Sequence, residues 1–154
     1  MFWVTQGVLS FLATAGFGIL FNAPKKTLFH CGLVGAIGWL IYYSLLKHGM
    51  DAVLASFAGS FVIAIVAHML ARHFKMPMII FSVAGIIPLV PGGMAYNAMR
   101  HVVENEYLES IQYAAKAFII TGAIVMGLVF AEVFMQLIFN IIRKRKAKAL
   151  QNEI

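Results

Sequence analysis

Apolar residues along the chain fall into five long blocks separated by short polar segments. No Asp, Glu, Lys or Arg occurs in four of them, residues 1–24, 27–46, 52–71 and 76–99. The fifth block, residues 117–142, contains only Glu132. A helix needs about 20 residues to cross the roughly 30 Å hydrocarbon core of a bilayer. The pattern therefore predicts an all-α polytopic integral membrane protein with five transmembrane helices.

Helix-ending signals mark the limits of these blocks. Pro24 disfavours helical backbone at the preceding residue, and the two lysines that follow it resist burial. Gly49 suits a left-handed cap after the second helix, and Asp51 suits the N-cap of the third. We therefore predict a single transmembrane domain over residues 1–154. Its spans cover about 2–22, 27–46, 51–71, 77–99 and 117–142, and a basic tail covers 143–154.

The composition supports a membrane protein. Hydrophobic residues make up 62% of the 154 residues and charged residues 12%, against roughly 45–50% and 25% in soluble domains. The net charge of +6 is concentrated beside the apolar blocks, as in membrane anchors, so no nucleic-acid partner is expected. The densest basic cluster should meet anionic lipid head groups. It consists of Arg143, Lys144, Arg145, Lys146 and Lys148.

The distribution of basic residues also predicts the orientation. With five spans, the side that holds the C-terminal tail receives nine lysines and arginines, and the other side receives three. The positive-inside rule then places the N-terminus outside and the tail in the cytoplasm. The first block lacks a basic n-region and stays apolar to Phe21, so it is predicted to be a span rather than a signal peptide. The loop over residues 100–116 has apolar residues at helical spacing, which predicts a short interfacial helix.

The fourth block contains the sequence IIPLVPGGMAYNA, residues 86–98. Pro88 and Pro91 each remove a backbone hydrogen bond from a helix, and Gly92 and Gly93 add backbone freedom. The break lies about 12 residues into the block, near mid-membrane at 1.5 Å per residue. Unwound backbone persists in hydrocarbon only where protein buries it or where it faces a watery cavity.

Two readings of this break remain open. A second half-helix that begins near Gly93 or Met94 would offer free N–H groups to an anionic substrate, as in many secondary transporters. A plain proline kink, satisfied by neighbouring helices, is the structural alternative. The first reading predicts a substrate-binding set formed by Pro88, Pro91, Gly92, Gly93, Tyr96 and Asn97.

Glu132 is predicted to carry a proton, because a carboxylate inside a membrane helix is costly and often marks a proton pathway. The alternative is a protonated side chain bonded to a neighbouring helix. Cys31 is the only cysteine, and no metal-ligand spacing is present, so neither a disulfide nor a metal site is predicted. No Walker loop or GxGxxG motif is present, so ATP does not drive the chain directly and no cofactor is predicted.

Two stretches resemble the threonine/serine exporter family. GFGILFNAPKKTLFHCGLVGAIG, residues 16–38, is similar to the segment in which that family has G-F-x-x-x-F-N-x-P. IIPLVPGGMAY, residues 86–96, is similar to its I-P-x-x-P-G-x-x-A-Y segment. The resemblance implies family-motif roles for Asn22, Pro24, Pro88, Pro91, Gly92, Ala95 and Tyr96.

Length, span number and basic C-terminus resemble the small subunit of the split form of this exporter. The resemblance implies a larger membrane subunit as partner and gradient-driven export of threonine, serine or dicarboxylates such as succinate across the bacterial cytoplasmic membrane. It also implies that the chain is not an enzyme. A non-transporting accessory subunit is the main alternative. An intramembrane enzyme that uses Glu132 or the histidines is a weaker one, because no motif supports it.

Overall fold

The computed structural model describes the backbone of residues 2–151 and the side chains of residues 3–144. The prediction for the tail side chains of Arg145, Lys146 and Lys148 lies outside these residues. The described chain is helical, as predicted. Its helices are α1 (Phe2–Leu20), α2 (Lys25–Lys47), α3 (Ala52–Phe74), α4 (Ile79–Ile86), a 3-10 helix (Ile87–Leu89), α5 (Gly92–Val103) and α6 (Tyr107–Gln151).

Four of the described helices, α1, α2, α3 and α6, are long and apolar enough to cross a membrane. The number rises to five if α4, the 3-10 helix and α5 form one span, which is bent by 52°. The predicted fold class and the break in the fourth span are therefore confirmed. Gly49 has a φ of 83°, and the Asp51 side chain accepts the N–H of Val53, so both predicted caps are also confirmed.

The bundle has a strongly basic end and an end that carries all the described loop carboxylates. The basic end holds Lys25, Lys26, Arg72, Lys75, Arg143 and Lys144. The other end, called the acidic end below, holds Asp51, Glu104, Glu106 and Glu109 together with Lys47, Arg100 and Lys116. Helices α3 and α6 run parallel, because Phe57 contacts Phe130 and Arg72 lies over Phe139 further toward the basic end. With 45 residues, α6 is about 67 Å long. It therefore extends well beyond a single membrane crossing.

Small residues hold the helices close together. A side chain at Gly35 would collide with Thr14 of α1, and one at Gly38 would collide with Ile63 of α3. At Gly127 of α6 a Cβ would lie 2.6 Å from the carbonyl oxygen of Phe57 and collide with Ser60. Without a hydrophobic drive between helices in lipid, such close backbone approach supplies much of the packing energy. These small residues therefore set the distances between the helices.

Helix α4 lies in a groove formed by α1, α2 and α3, whereas α5 packs chiefly on α6. The turn between α5 and α6 covers only residues 104–106. The expectation of a separate interfacial helix was wrong, because residues 107–116 are the first turns of α6 itself. No glycine or proline separates Tyr107 from the apolar residues that follow, so the helix continues without a break.

The contact between α3 and α6 can be tested at Gly127. Gly127→Ala should lower the free energy of unfolding by about 1–3 kcal/mol, because the methyl group has no space beside the Phe57 carbonyl. Gly122→Ala is the matched control on the same helix, since a Cβ there meets nothing within 4 Å. Unfolding of the purified chain in detergent measures both. Equal stabilities for the two variants would contradict the packing described here.

Candidate functional site

The helix breaks between Leu89 and Gly92. Val90 has extended backbone, with φ −61° and ψ 129°, and α5 then starts at Gly92. Most of the backbone groups freed by the break find new partners. The N–H of Gly92 donates to the Val90 carbonyl at 2.8 Å, and the N–H groups of Met94 and Ala95 donate to the Pro91 carbonyl at 3.1 Å.

One N–H group of the first turn of α5, that of Gly93, has no hydrogen-bond acceptor within the described part of the chain. A free N–H at a helix N-terminus favours an anionic partner, since the helix dipole adds a partial positive charge there. The end of α5 therefore offers a single backbone donor, fewer than an uncapped helix would.

The break lies nearer the acidic end than the residue count predicts. Leu89 packs beside Gly59, which is seven residues into α3, or about 10 Å from its acidic end. Met94, in the first turn of α5, lines a cavity of about 240 Å³ with Asp51 and Lys116. The rest of α5 therefore lies at or beyond the acidic end of α3.

Both glycines at the start of α5 face open space. A Cβ at Gly92 or Gly93 would meet nothing within 4 Å, and neither residue has a positive φ. Neither packing nor backbone conformation within this chain requires glycine there. Tyr96 is 68% exposed, and Asn97 is half-buried. The structure thus places these residues on the surface of α5 and around no enclosed cavity of the described chain.

A side-chain cluster holds the α5–α6 hairpin together, and the sequence patterns did not indicate it. The Nδ1 atom of His101 lies 2.7 Å from Glu106 Oε2, and its ring stacks on Tyr113 at 5.3 Å. The Ser110 hydroxyl donates to the Ala98 carbonyl at 2.7 Å. Ligand atoms of His101, Glu104 and Glu106 lie within 4.8 Å of one another and could share a cation. The short hydrogen bond already accounts for their arrangement.

Glu132 is exposed on α6, with Ala131 beside it fully buried against the bundle. Gly127 packs against Ser60, in the first half of the parallel helix α3. Glu132 is five residues further along α6 and therefore lies near the middle of the membrane-crossing region. A charged side chain there costs about 2.5–3.5 kcal/mol on insertion scales. Gln136 Nε2 donates to Glu132 Oε1 at 3.4 Å. The sequence reasoning missed Gln136 and Asn140, which follow Glu132 at four-residue intervals.

The segment around Asn22 and Pro24 ends α1 at the basic end. Asn22 has a φ of 55°, and the N–H of Ala23 donates to the Gly18 carbonyl at 2.9 Å, as in a Schellman cap. The Pro24 carbonyl accepts the Thr27 hydroxyl at 2.8 Å. These residues also line a cavity of about 370 Å³ against α4. They lie far from the break, because the cavity is lined by Ile79 and Ile80 at the start of α4, whereas the break follows the other end of that helix.

Residues 6–134 match the model of the family described as threonine/serine exporter, ThrE. The chain belongs to this exporter family. The family is one of transporters, so the predictions of membership and of a non-enzymatic protein are confirmed. Both motif segments of the exporter chain, around Asn22 and around Pro91, lie inside the matched residues.

An uncharacterised protein of Haemophilus influenzae is 33% identical over 126 residues, which cover 76% of this exporter chain and 42% of the relative. The chain thus spans about two fifths of that relative's length. No solved structure matches the chain.

The cap at Asn22 gives a test that separates a structural from a binding role for this motif residue. Asn22→Gly should keep the stability of the wild type, because glycine also adopts the left-handed conformation. Asn22→Ile should lower the free energy of unfolding by about 1–2 kcal/mol. Unfolding in detergent measures both variants. If glycine destabilises as much as isoleucine, the amide side chain itself is required.

Proposed function

We propose that this chain is one subunit of a gradient-driven exporter of small polar amino acids such as threonine and serine, or of dicarboxylates such as succinate. Its partner is a larger membrane subunit. The substrate's carboxylate binds at the N-terminus of α5, around Gly92 and Gly93. Tyr96 and Asn97 supply side-chain hydrogen bonds, and Pro88 and Pro91 keep the helix broken.

The open glycines at the start of α5 carry this proposal. Glycine lowers helix stability relative to alanine, by up to about 1 kcal/mol in a helix interior, and here neither packing nor a positive φ compensates for that loss. The free N–H of Gly93 lies at the same point. The free N–H follows from the break itself, whereas the two glycines are explained by close approach of a substrate or of another subunit and not by a proline kink alone.

The exposure of these residues supports a site completed by another subunit. Tyr96 and Gly92 lie on the surface of α5, and Glu132 lies on the outer face of α6. A substrate path must exclude lipid, so the missing wall comes from the larger subunit. Glu132 accepts the coupling proton at the boundary between the two.

The proposed orientation places the basic end in the cytoplasm and the acidic end outside, in the bacterial cytoplasmic membrane. Six of the nine described lysines and arginines support it, since they lie at the basic end, whereas Lys47, Arg100 and Lys116 lie at the other end. The family motif at Asn22 is then cytoplasmic, and the start of α5 is nearer the outside.

Two exposed histidines at opposite ends test the orientation. In a Cys31→Ser background, His48→Cys should react with a membrane-impermeant maleimide in intact cells, because His48 lies at the acidic end. His73→Cys, at the basic end, should react only after the cells are permeabilised. The reverse pattern would overturn the orientation.

The site assignment is tested by flux in proteoliposomes that contain this chain and the larger subunit. Gly92→Leu and Asn97→Ala should each lower export of the transported acid by at least about tenfold, since a hydrogen bond to a charged group contributes about 1.5–3 kcal/mol. Met99→Ala is the control, because Met99 is on the same helix and as exposed as Tyr96. Wild-type flux in both site variants would refute the assignment of the substrate site to α5.

The same vesicles separate a transport subunit from an accessory one. If Gly92→Leu and Asn97→Ala leave flux unchanged while omission of this chain abolishes assembly of the larger subunit, the chain is an accessory. Export that requires α5 residues of this chain supports direct participation.

A further inference from the structure

The membrane-crossing part of α6 carries a line of polar side chains that faces away from its own bundle. Glu132, Gln136 and Asn140 are spaced four residues apart, so they share one face of the helix, and all three are exposed. Most residues of α6 that pack against α3 lie on a different face, and only near the basic end does Arg72 of α3 reach Phe139, at the edge of the polar line. That buried face consists of Ile120, Ile124, Gly127, Ala131 and Met135.

The described part of the chain leaves most of the hydrogen-bonding capacity of this line unused. Gln136 donates to Glu132 at 3.4 Å, a contact between neighbours on one helix that engages one of several donors and acceptors. The exposed hydroxyl of Thr121, by contrast, donates to the Ala117 carbonyl at 2.8 Å. Amides and carboxylates in membrane helices normally face other helices or water, because hydrocarbon offers them no partners.

Gly122 extends the same face toward the acidic end. It precedes Asn140 by 18 residues, which is five helical turns, so the two point in the same direction. A Cβ at Gly122 would meet nothing within 4 Å, and its φ is not positive. Small residues on a membrane helix let a second helix approach closely. The face thus combines a place for close approach with polar groups that need partners.

We propose that the face formed by Gly122, Glu132, Gln136 and Asn140 is the docking surface for a transmembrane helix of the larger subunit. This inference rests on the proposed function. The docking helix presents Ser, Thr, Asn, Gln, Lys or Arg side chains that donate to the Glu132 carboxylate and bond the two amides. More than half of the Haemophilus influenzae relative lies outside the matched region. A separate subunit that corresponds to that part has ample length for such a helix. The coupling carboxyl therefore lies between the subunits.

Site-specific photo-crosslinking tests the surface. A benzophenone amino acid replaces Gln136 in the tagged chain, which is co-expressed with the larger subunit and irradiated in the membrane. The expected product has the summed mass of the two subunits. Leu12 is the control position, because it is also exposed, near the centre of α1, a helix that does not pack closely on α6. A product of twice the mass of this chain, or lipid adducts alone, would overturn the proposal.

Substitutions on the same face give a second readout. The double variant Gln136→Leu with Asn140→Leu should fold and insert normally, because both side chains are exposed. It should recover at least about tenfold less of the larger subunit on affinity purification, since interhelical hydrogen bonds contribute to association in membranes. Leu12→Ala should recover the normal amount, because Leu12 is exposed on α1, away from this face. Equal recovery by all three proteins would refute the docking surface.

The outcomes separate this inference from the proposed function. If the wild-type subunits neither copurify nor transport, the proposed function fails and the docking surface fails with it. If they copurify and transport but crosslinking at Gln136 captures no larger subunit, only the docking surface is wrong.

Discussion

Backbone polar groups that enter hydrocarbon must find partners inside the protein, and the rest of this structure depends on that constraint. It dictates helices throughout the described chain and limits what two prolines can do. At the break, Val90 donates to Ile87, Gly92 donates to Val90, and the Pro91 carbonyl accepts two N–H groups. These bonds satisfy most of the backbone groups at the break, which allows it to lie within a membrane. They leave one donor, the N–H of Gly93, free.

Glycine serves two different purposes in this protein. At Gly35, Gly38 and Gly127 a side chain would collide with a neighbouring helix, so these residues set the distances within the bundle. At Gly92 and Gly93 a side chain would meet nothing, and the missing Cβ leaves room for something outside the chain. The close contacts define a stable core of α1–α4 and α6, and the open positions mark the surfaces where that core is incomplete.

Exposure of the proposed site residues is consistent with a subunit rather than a finished transporter. The start of α5 and the polar face of α6 both carry groups that are costly in lipid, and neither is covered within the described chain. A path built between two subunits would bring such groups together without burying them inside either one. Membership of the exporter family and the partial coverage of a longer relative agree with this arrangement.

The sequence by itself determined the helical class, the apolar spans, the caps at Gly49 and Asp51 and the break at Pro88–Pro91, because these depend on local propensity and hydrophobicity. The continuation of α6 through the predicted loop is also local, because no glycine or proline interrupts it, but the loop prediction overlooked that. Only the tertiary structure decided that the break lies near Gly59 and that His101 meets Glu106. The line from Glu132 to Asn140 was present in the sequence but could not be interpreted. Its meaning depends on which face of α6 packs against α3, and that is set by contacts between residues distant in the chain.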